Sequence, residues 1–312
     1  MEAVLDLVAA RRLDVAKMIT HRFPIAEAER AYDLITGKVK EPYFGIILQY
    51  PERGDASLAR TVRVTKGPGA RNGALAVGFI GAGNFAQGFL LPPVKKSGAR
   101  LVAVSTSTAV NARSVAEKFG FEEASTDNEG VLANDAIDAV FVATRHDTHG
   151  RFVAEALEAG RQVFVEKPLA ITREELERIE EVAARKGDRV MVGFNRRFSE
   201  ALIAMKGHFR DMREPLVMMY RVNAGYLKPE FWTQAESQGG RIIGEGCHFV
   251  DCMQFMTGGA RPVSVYAAAI GSQNTQVKNA DSVSITIRFD DGSVGTVHYL
   301  ANGDPSVPKE YF

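Results

Sequence analysis

The chain has 312 residues, 46% hydrophobic and 24% charged, which is enough for two globular domains with a sizeable core. Its 38 basic and 38 acidic residues balance to zero formal charge, so there is no electrostatic footprint for nucleic acid or an anionic membrane. No apolar run reaches the ~18–20 residues of a membrane span, and an N-terminus carrying Glu2 and Asp6 is unlike a secretory signal.

Residues 1–50 open on a short amphipathic helix candidate. Then come "LDVAKMITHRF", which alternates like a strand, a helix opened by Pro24 and stopped near Gly37, and the buried strand "YFGIILQY". Roughly 50 residues are too few for an independent core, so this segment reads as part of something larger. Residues 51–73 include "PERGD" and "TKGPGARNG". They read as a linker with at most one short strand, "ARTVRVT".

Strand–helix alternation fills 74–195. "LAVGFIG", "RLVAVST", "DAVFVAT", "QVFVEKP" and "RVMVGF" are apolar strands. "NARSVAEKFG", "HGRFVAEALEAG" and "TREELERIEEVAARKG" are helices, the last capped by Thr172. "NFAQGFLLPPVKKSG" is a helical stretch interrupted by Pro92 and Pro93. This pattern predicts an α/β domain with a doubly wound parallel Rossmann sheet. Residues 196–312 change character, with longer strands such as "DSVSITIRFDD" and "GSVGTVHYLA", a hairpin turn at Asp291–Gly292, and one helix over about 247–256. They predict an α+β domain with a mainly antiparallel open sheet. The two cysteines, Cys247 and Cys252, cannot form a disulfide framework; we expect reduced thiols and a cytoplasmic location.

"GFIGAGNFAQG" sets Gly81, Gly83 and Ala86 as G-x-G-x-x-A between strand and helix, with Asn84 and Phe85 in the same turn. Gly81 permits the tight turn, Gly83 admits a pyrophosphate, and the helix N-terminus binds it; the alternative is a tight turn without ligand. The second strand ends in Ser105, Thr106 and Ser107, where a carboxylate would grip adenosine ribose, so NAD and NADP both stay open. Glu166 and Lys167 end an apolar strand at the ligand-binding sheet edge, with Pro168 following. An ammonium there can stabilise charge developing on a substrate oxygen; the alternative is a surface lysine in a turn. His146 and His149 lie at i, i+3 with no further ligands nearby, so no metal is expected.

Gly81 to Ala86, "VATRHDTH" and "AGRQVFVEKPLA", in that order, resemble the Gfo/Idh/MocA oxidoreductases from residue 74 onward. The resemblance implies NAD or NADP, hydride transfer at a ring hydroxyl or keto carbon of a sugar, nucleotide sugar or polyol, and a second-domain sheet able to form homo-oligomers. It matches Lys167 to the active-site lysine and His248 to a candidate general base. It also matches His149, with Thr144 in the same loop, to the cofactor side of the cleft. Gly244 stands where the family usually has aspartate. Glu245 is the candidate replacement, three residues before His248 and so on the same helix face.

Asn195 and Arg197 could reach substrate, although Arg197 could equally be a structural ion-pair partner. Trp232 could line a sugar face or simply pack. The alternative for the whole chain is a catalytically inactive nucleotide-binding or regulatory protein of the same fold, favoured by Gly244 and by Arg145 where many members have proline. "MITHRFPIAEAERAYDLITGK" resembles the end of zinc-type medium-chain alcohol dehydrogenases. Fusions of that enzyme ahead of a Gfo/Idh/MocA unit would make 1–50 a remnant, and 196–312 is expected to be shortened at its end.

Overall fold

The computed structural model describes residues 2–10, 12–50, 59–65, 73–187, 189–211, 214–273 and 279–312. The chain divides into two compact units, residues 1–59 and 60–312.

The first unit contains α1 (Glu2–Ala9), β1 (Ile19–Pro24), α2 (Ala28–Ile35) and β2 (Gly45–Gln49). β1 and β2 pair in parallel, with Arg22 opposite Ile47, and α2 connects them. Among its described residues only Ala31 and Leu34 are fully buried, whereas Tyr32, Phe44 and Tyr50 are exposed. A two-stranded βαβ unit has too little apolar surface facing inward to do better. The alternation predicted from 13 onward resolves into a 3₁₀ turn, Val15–Met18, before the strand; Asp14 caps it by accepting from Ala16 N at 3.1 Å.

The second unit starts earlier than the sequence indicates. β3 (Thr61–Arg63) pairs antiparallel with β6 (Glu123–Ser125), and Val64 packs on the apolar core behind it. β3 falls within "ARTVRVT", the one short strand that the sequence allowed inside 51–73. An edge strand needs only one paired side, so it forms despite its polar flanks. The other strands of this sheet are β4 (Ala76–Ile80), β5 (Arg100–Ser105), β7 (Ala139–Val142), β8 (Gln162–Val165) and β9 (Val190–Val192). The order is β3-β6-β5-β4-β7-β8-β9, parallel throughout except for β3.

β4 is buried at every position because helices cover both faces of a parallel sheet. Phe79, Phe141 and Phe164 stack across three adjacent strands, with ring centroids 4.6 and 5.1 Å apart. One apolar layer packs α4 (Ala109–Phe119) through Val115 and Ala116. The opposite layer packs α5 (Asn128–Ala133), α6 (His149–Glu158) and α7 (Arg173–Lys186) through Leu132, Val153 and Ile179. Thr172 caps α7 as expected: its hydroxyl accepts from Glu175 N at 3.2 Å, and the Glu175 carboxylate turns back to the cap backbone.

The second domain adds α8 (Glu200–His208), β10 (Val217–Asn223), α9 (Cys247–Met256), β11 (Pro262–Ala269), β12 (Val283–Phe289), β13 (Val294–Leu300) and β14 (Glu310–Tyr311). The sheet order is β11-β12-β13-β10-β14, antiparallel except for a parallel β10–β13 pair at its centre. Phe249, Cys252, Met253 and Met256 of α9 pack on Tyr220, Val222, Phe289, Val297 and Tyr299 of the sheet's inner face. Burial pushes the free Cys247 and Cys252 thiols up, to about 11 and about 12. No helix among the described residues is long and apolar enough to cross a membrane.

Candidate functional site

The strand ends of the parallel sheet and α9 of the second domain face one cleft of about 640 Å³. Gly83, Asn84, Phe85, Ala86, Thr144, His149, Glu166, Lys167, Asn195, Trp232, Glu245 and His248 all line it, so most residues chosen from the sequence converge there.

The turn after β4 has the shape a diphosphate requires. Gly81 sits at φ +86°, a left-handed backbone, and a side chain there would meet Thr144 Cγ2 at 2.9 Å. Gly83 has open space where its side chain would be. The chain becomes helical at Asn84, leaving first-turn N–H groups without intrahelical partners. These residues fit a dinucleotide diphosphate. The helix then widens into a π turn, Ala86–Leu90, before α3 (Leu91–Lys96). Pro92 and Pro93 fall at the start of α3, where missing N–H groups cost least, so the expected interruption becomes a change of helical pitch.

Thr106 lies outside the cleft. It is buried and its hydroxyl donates to Thr108 O at 2.8 Å, so its proton is committed to the turn; only Ser107 there is exposed. Thr106 thus helps to form the turn after β5. Glu166 follows β8 with its N–H on Val142 O at 2.9 Å, and burial raises its carboxyl above the usual range against the pull of Lys167. Lys167 donates to Gly244 O at 2.9 Å, which spans the two domains.

His149 is buried, with Nδ1 donating to Pro168 O at 2.7 Å and Nε2 3.2 Å from Thr144 O. It ties the two loops that carry Thr144 and Lys167. Burial lowers its pKa although both carbonyls favour the protonated ring.

His248 is buried on α9, its ring edge-on to Phe194 with centroids 6.0 Å apart. Burial, then the charges of Arg196 and Lys167, lower its pKa to about 3, so the ring is neutral at neutral pH. Its Nδ1 is buried and has no partner among the described residues. Glu245 does not supply one: it accepts from Tyr299 Oη at 2.5 Å and from Lys309 Nζ at 2.6 Å, with Arg196 Nη2 at 3.7 Å. Burial opposes its ionisation, but these donors outweigh it and hold its pKa low. Glu245 is thus an anchored anion in the cleft wall, hydrogen-bonded to Tyr299 and Lys309 rather than to His248. The physical reason is that Tyr299 and Lys309 take up its two oxygens, in a π turn, Ile242–Gly246, that leads into α9.

For Arg197 the structure shows the ion pair, one of the two readings the sequence allowed. Nε donates to Asp251 Oδ2 at 2.9 Å and Nη2 donates to Oδ1, so Arg197 is an ion-pair partner absent from the cleft lining. The 3₁₀ turn Asn195–Phe198 presents Arg196 instead, held by Glu310 at 2.6 Å. Arg196, Arg241, Tyr299, Phe231 and His146 are lining residues that sequence reasoning did not place in the site. The signals for them were the adjacency of Arg196 to Arg197 and the place of His146 in "VATRHDTH".

Comparison with known proteins agrees with this geometry. Residues 75–194 match the family described as "Oxidoreductase family, NAD-binding Rossmann fold", and residues 202–305 match the "GFO/IDH/MocA C-terminal domain". The NAD(+)-dependent scyllo-inositol 2-dehydrogenase of Bacillus subtilis (strain 168) is 31% identical over 205 residues, which are 64% of this chain and 59% of that protein. The 1,5-anhydro-D-fructose reductase of Ensifer adhaerens is 28% identical over 231 residues, 71% of this chain and 68% of that one. The crystal structure of an NAD-binding protein from Listeria innocua superposes with a TM-score of 0.62 at 26% identity, covering 76% of this chain and 70% of that one. This chain thus spans less than two thirds of the length of the Bacillus relative. Both halves of the cleft, the NAD-binding Rossmann fold and the domain that carries His248, lie in matched segments, and the chain belongs to the Gfo/Idh/MocA oxidoreductase family.

Proposed function

We propose that the chain is an NAD(P)-dependent oxidoreductase acting on a ring hydroxyl or keto carbon of a polyol or sugar. The observation that carries this is the convergence of Lys167 and His248 in the cleft that also holds the 83–86 turn. Gly83 and the helix start at Asn84 would hold the diphosphate, and the nicotinamide supplies the hydride acceptor or donor when bound. Lys167, within reach of Gly244 O, donates to the reacting oxygen and favours the charge that develops on it. His248, held neutral, takes the hydroxyl proton through Nε2, because Nδ1 is enclosed.

The test is absorbance at 340 nm with NAD or NADP against a panel of inositols, sugars and sugar nucleotides. Turnover of at least one polyol or sugar is expected. Cofactor binding with no turnover across the panel would favour the inactive nucleotide-binding protein instead.

We propose a cytoplasmic location, and association of copies through the outer face of the second-domain sheet. In support, Tyr266, Thr286, Thr296 and Met219 form one row across that face, and Tyr266 and Met219 are exposed along with Val217 and Tyr311.

We also read residues 1–50 as a piece of a zinc-type medium-chain dehydrogenase fold, supported by its parallel β1–β2 pair and its small core. Among the described residues, all that line the cleft fall between Gly83 and Tyr299. Removing residues 1–59 is therefore expected to leave NADH affinity unchanged within error in a fluorescence titration. Cutting on to Gly73 should lower the thermal midpoint, because β3 and Val64 go with it. Loss of NADH binding on the shorter deletion would show that the first unit supports the site.

A further inference from the structure

We propose that His146 is a specificity-determining residue of the cleft, filling the space beside Gly244 and presenting Nε2 as an acceptor for a substrate hydroxyl. This rests on the polyol or sugar reading above.

The two residues fit each other. A Cβ on Gly244 would lie 2.9 Å from His146 Cε1 and 3.3 Å from Nδ1, so any side chain at 244 would press on the imidazole. The ring cannot easily withdraw. Nδ1 donates to Gln238 O at 2.9 Å, Trp232 meets it edge-on at 5.0 Å between centroids, and His149 lies 5.9 Å away on another side.

The bond to Gln238 also fixes the tautomer. A carbonyl can only accept, so the proton sits on Nδ1 and Nε2 keeps its lone pair. Nε2 has no hydrogen bond among the described residues, and it is not one of the enclosed unpartnered atoms. Burial and the nearby Lys167 hold the pKa down to about 4, so the ring stays neutral and accepting at neutral pH. Lys167 donates to the carbonyl of this same Gly244. His146 and Lys167 therefore approach one backbone position, one offering a lone pair and the other N–H donors. A hydroxyl-bearing carbon ring satisfies both, through one hydroxyl as donor and the oxygen of another as acceptor.

The experiment titrates the protein–NADH complex with myo-inositol, scyllo-inositol and glucose by calorimetry. His146→Phe keeps a ring against Trp232 and removes the acceptor. We expect the dissociation constant of the best-bound probe to rise about tenfold, the loss of one buried hydrogen bond, with NADH affinity unchanged. Gly244→Ala pushes a methyl into the ring and should weaken the same probe at least as much. In Gly244→Ala with His146→Ala the clash is gone, so the pair should bind no worse than His146→Ala alone.

Unchanged probe binding by either His146→Phe or Gly244→Ala, with NADH binding intact, overturns this inference and leaves the proposed function standing. If the wild-type complex binds none of the three probes, this inference falls, and turnover across the wider panel decides the proposed function separately.

Discussion

Replacing Lys167 with methionine is expected to lower kcat by about three orders of magnitude while NADH affinity stays close to that of the wild type. Methionine keeps a flexible apolar stem of similar length and removes only the ammonium. That group sits just past the end of β8, at the mouth of the parallel sheet, and donates to Gly244 O at 2.9 Å across the domain junction. In the reaction it would have a developing alkoxide to stabilise, and a donor aimed at developing charge acts on the transition state more than on the ground state. The loss should fall on kcat, with a smaller rise in KM. Lys167→Arg should not restore activity, because a planar guanidinium does not reproduce a compact point charge in a cleft shaped around one. A stopped-flow measurement of the hydride step would separate chemistry from product release. If Lys167→Met retains more than about a tenth of wild-type kcat, the lysine is a domain-junction contact and the chemistry lies elsewhere.

The parts of the site that could be read from the sequence are those whose geometry is local. G-x-G-x-x-A encodes its own turn, since Gly81 must be left-handed and the open space at Gly83 needs only the absence of a side chain. Lys167 could be placed because an apolar strand with a parallel partner has a defined end. What could not be read depends on helical phase or on distant partners. Arg196 and Arg197 are neighbours in sequence, and the short 3₁₀ turn alone decides which faces the cleft and which meets Asp251. Glu245 is three residues from His248 and lines the same cleft, yet its hydrogen bonds go to Tyr299 and Lys309, partners far away in sequence. β6 went unread for another reason: "EAS" has weak strand propensity and is held by β5 and β3 on its two sides. In each of these cases tertiary context overrides the local pattern.

Acid is expected to destabilise the fold well above the pH at which its carboxylates titrate. Burial is the main reason that His146 and His248 have pKa values lowered to about 4 and about 3, from an ordinary 6.5. The unfolded chain therefore takes up protons first as pH falls. The stability these two rings confer is fully present above about pH 6.5 and is lost as pH drops through 4 and then 3.

For His146 alone the loss by pH 4 is on the order of 3 kcal/mol, a large part of the ~5–15 kcal/mol that holds a typical domain folded. Glu245 and Glu310, with pKa values below the usual carboxylate range, add to the loss below about pH 4.5. Glu166 works the other way: its raised pKa means the folded state gains a proton before the unfolded one, which offsets part of the loss.

Urea midpoints measured from pH 7.5 to 4 should therefore fall steadily from about pH 6.5, ahead of any carboxylate. His146→Phe and His248→Asn, which cannot titrate in this range, should each flatten the slope between pH 6.5 and 4.5. A wild-type midpoint that stays level until pH 4.5 would mean that the two rings already protonate in the folded state, and His248 could not then be the neutral acceptor on which the proposed proton transfer depends.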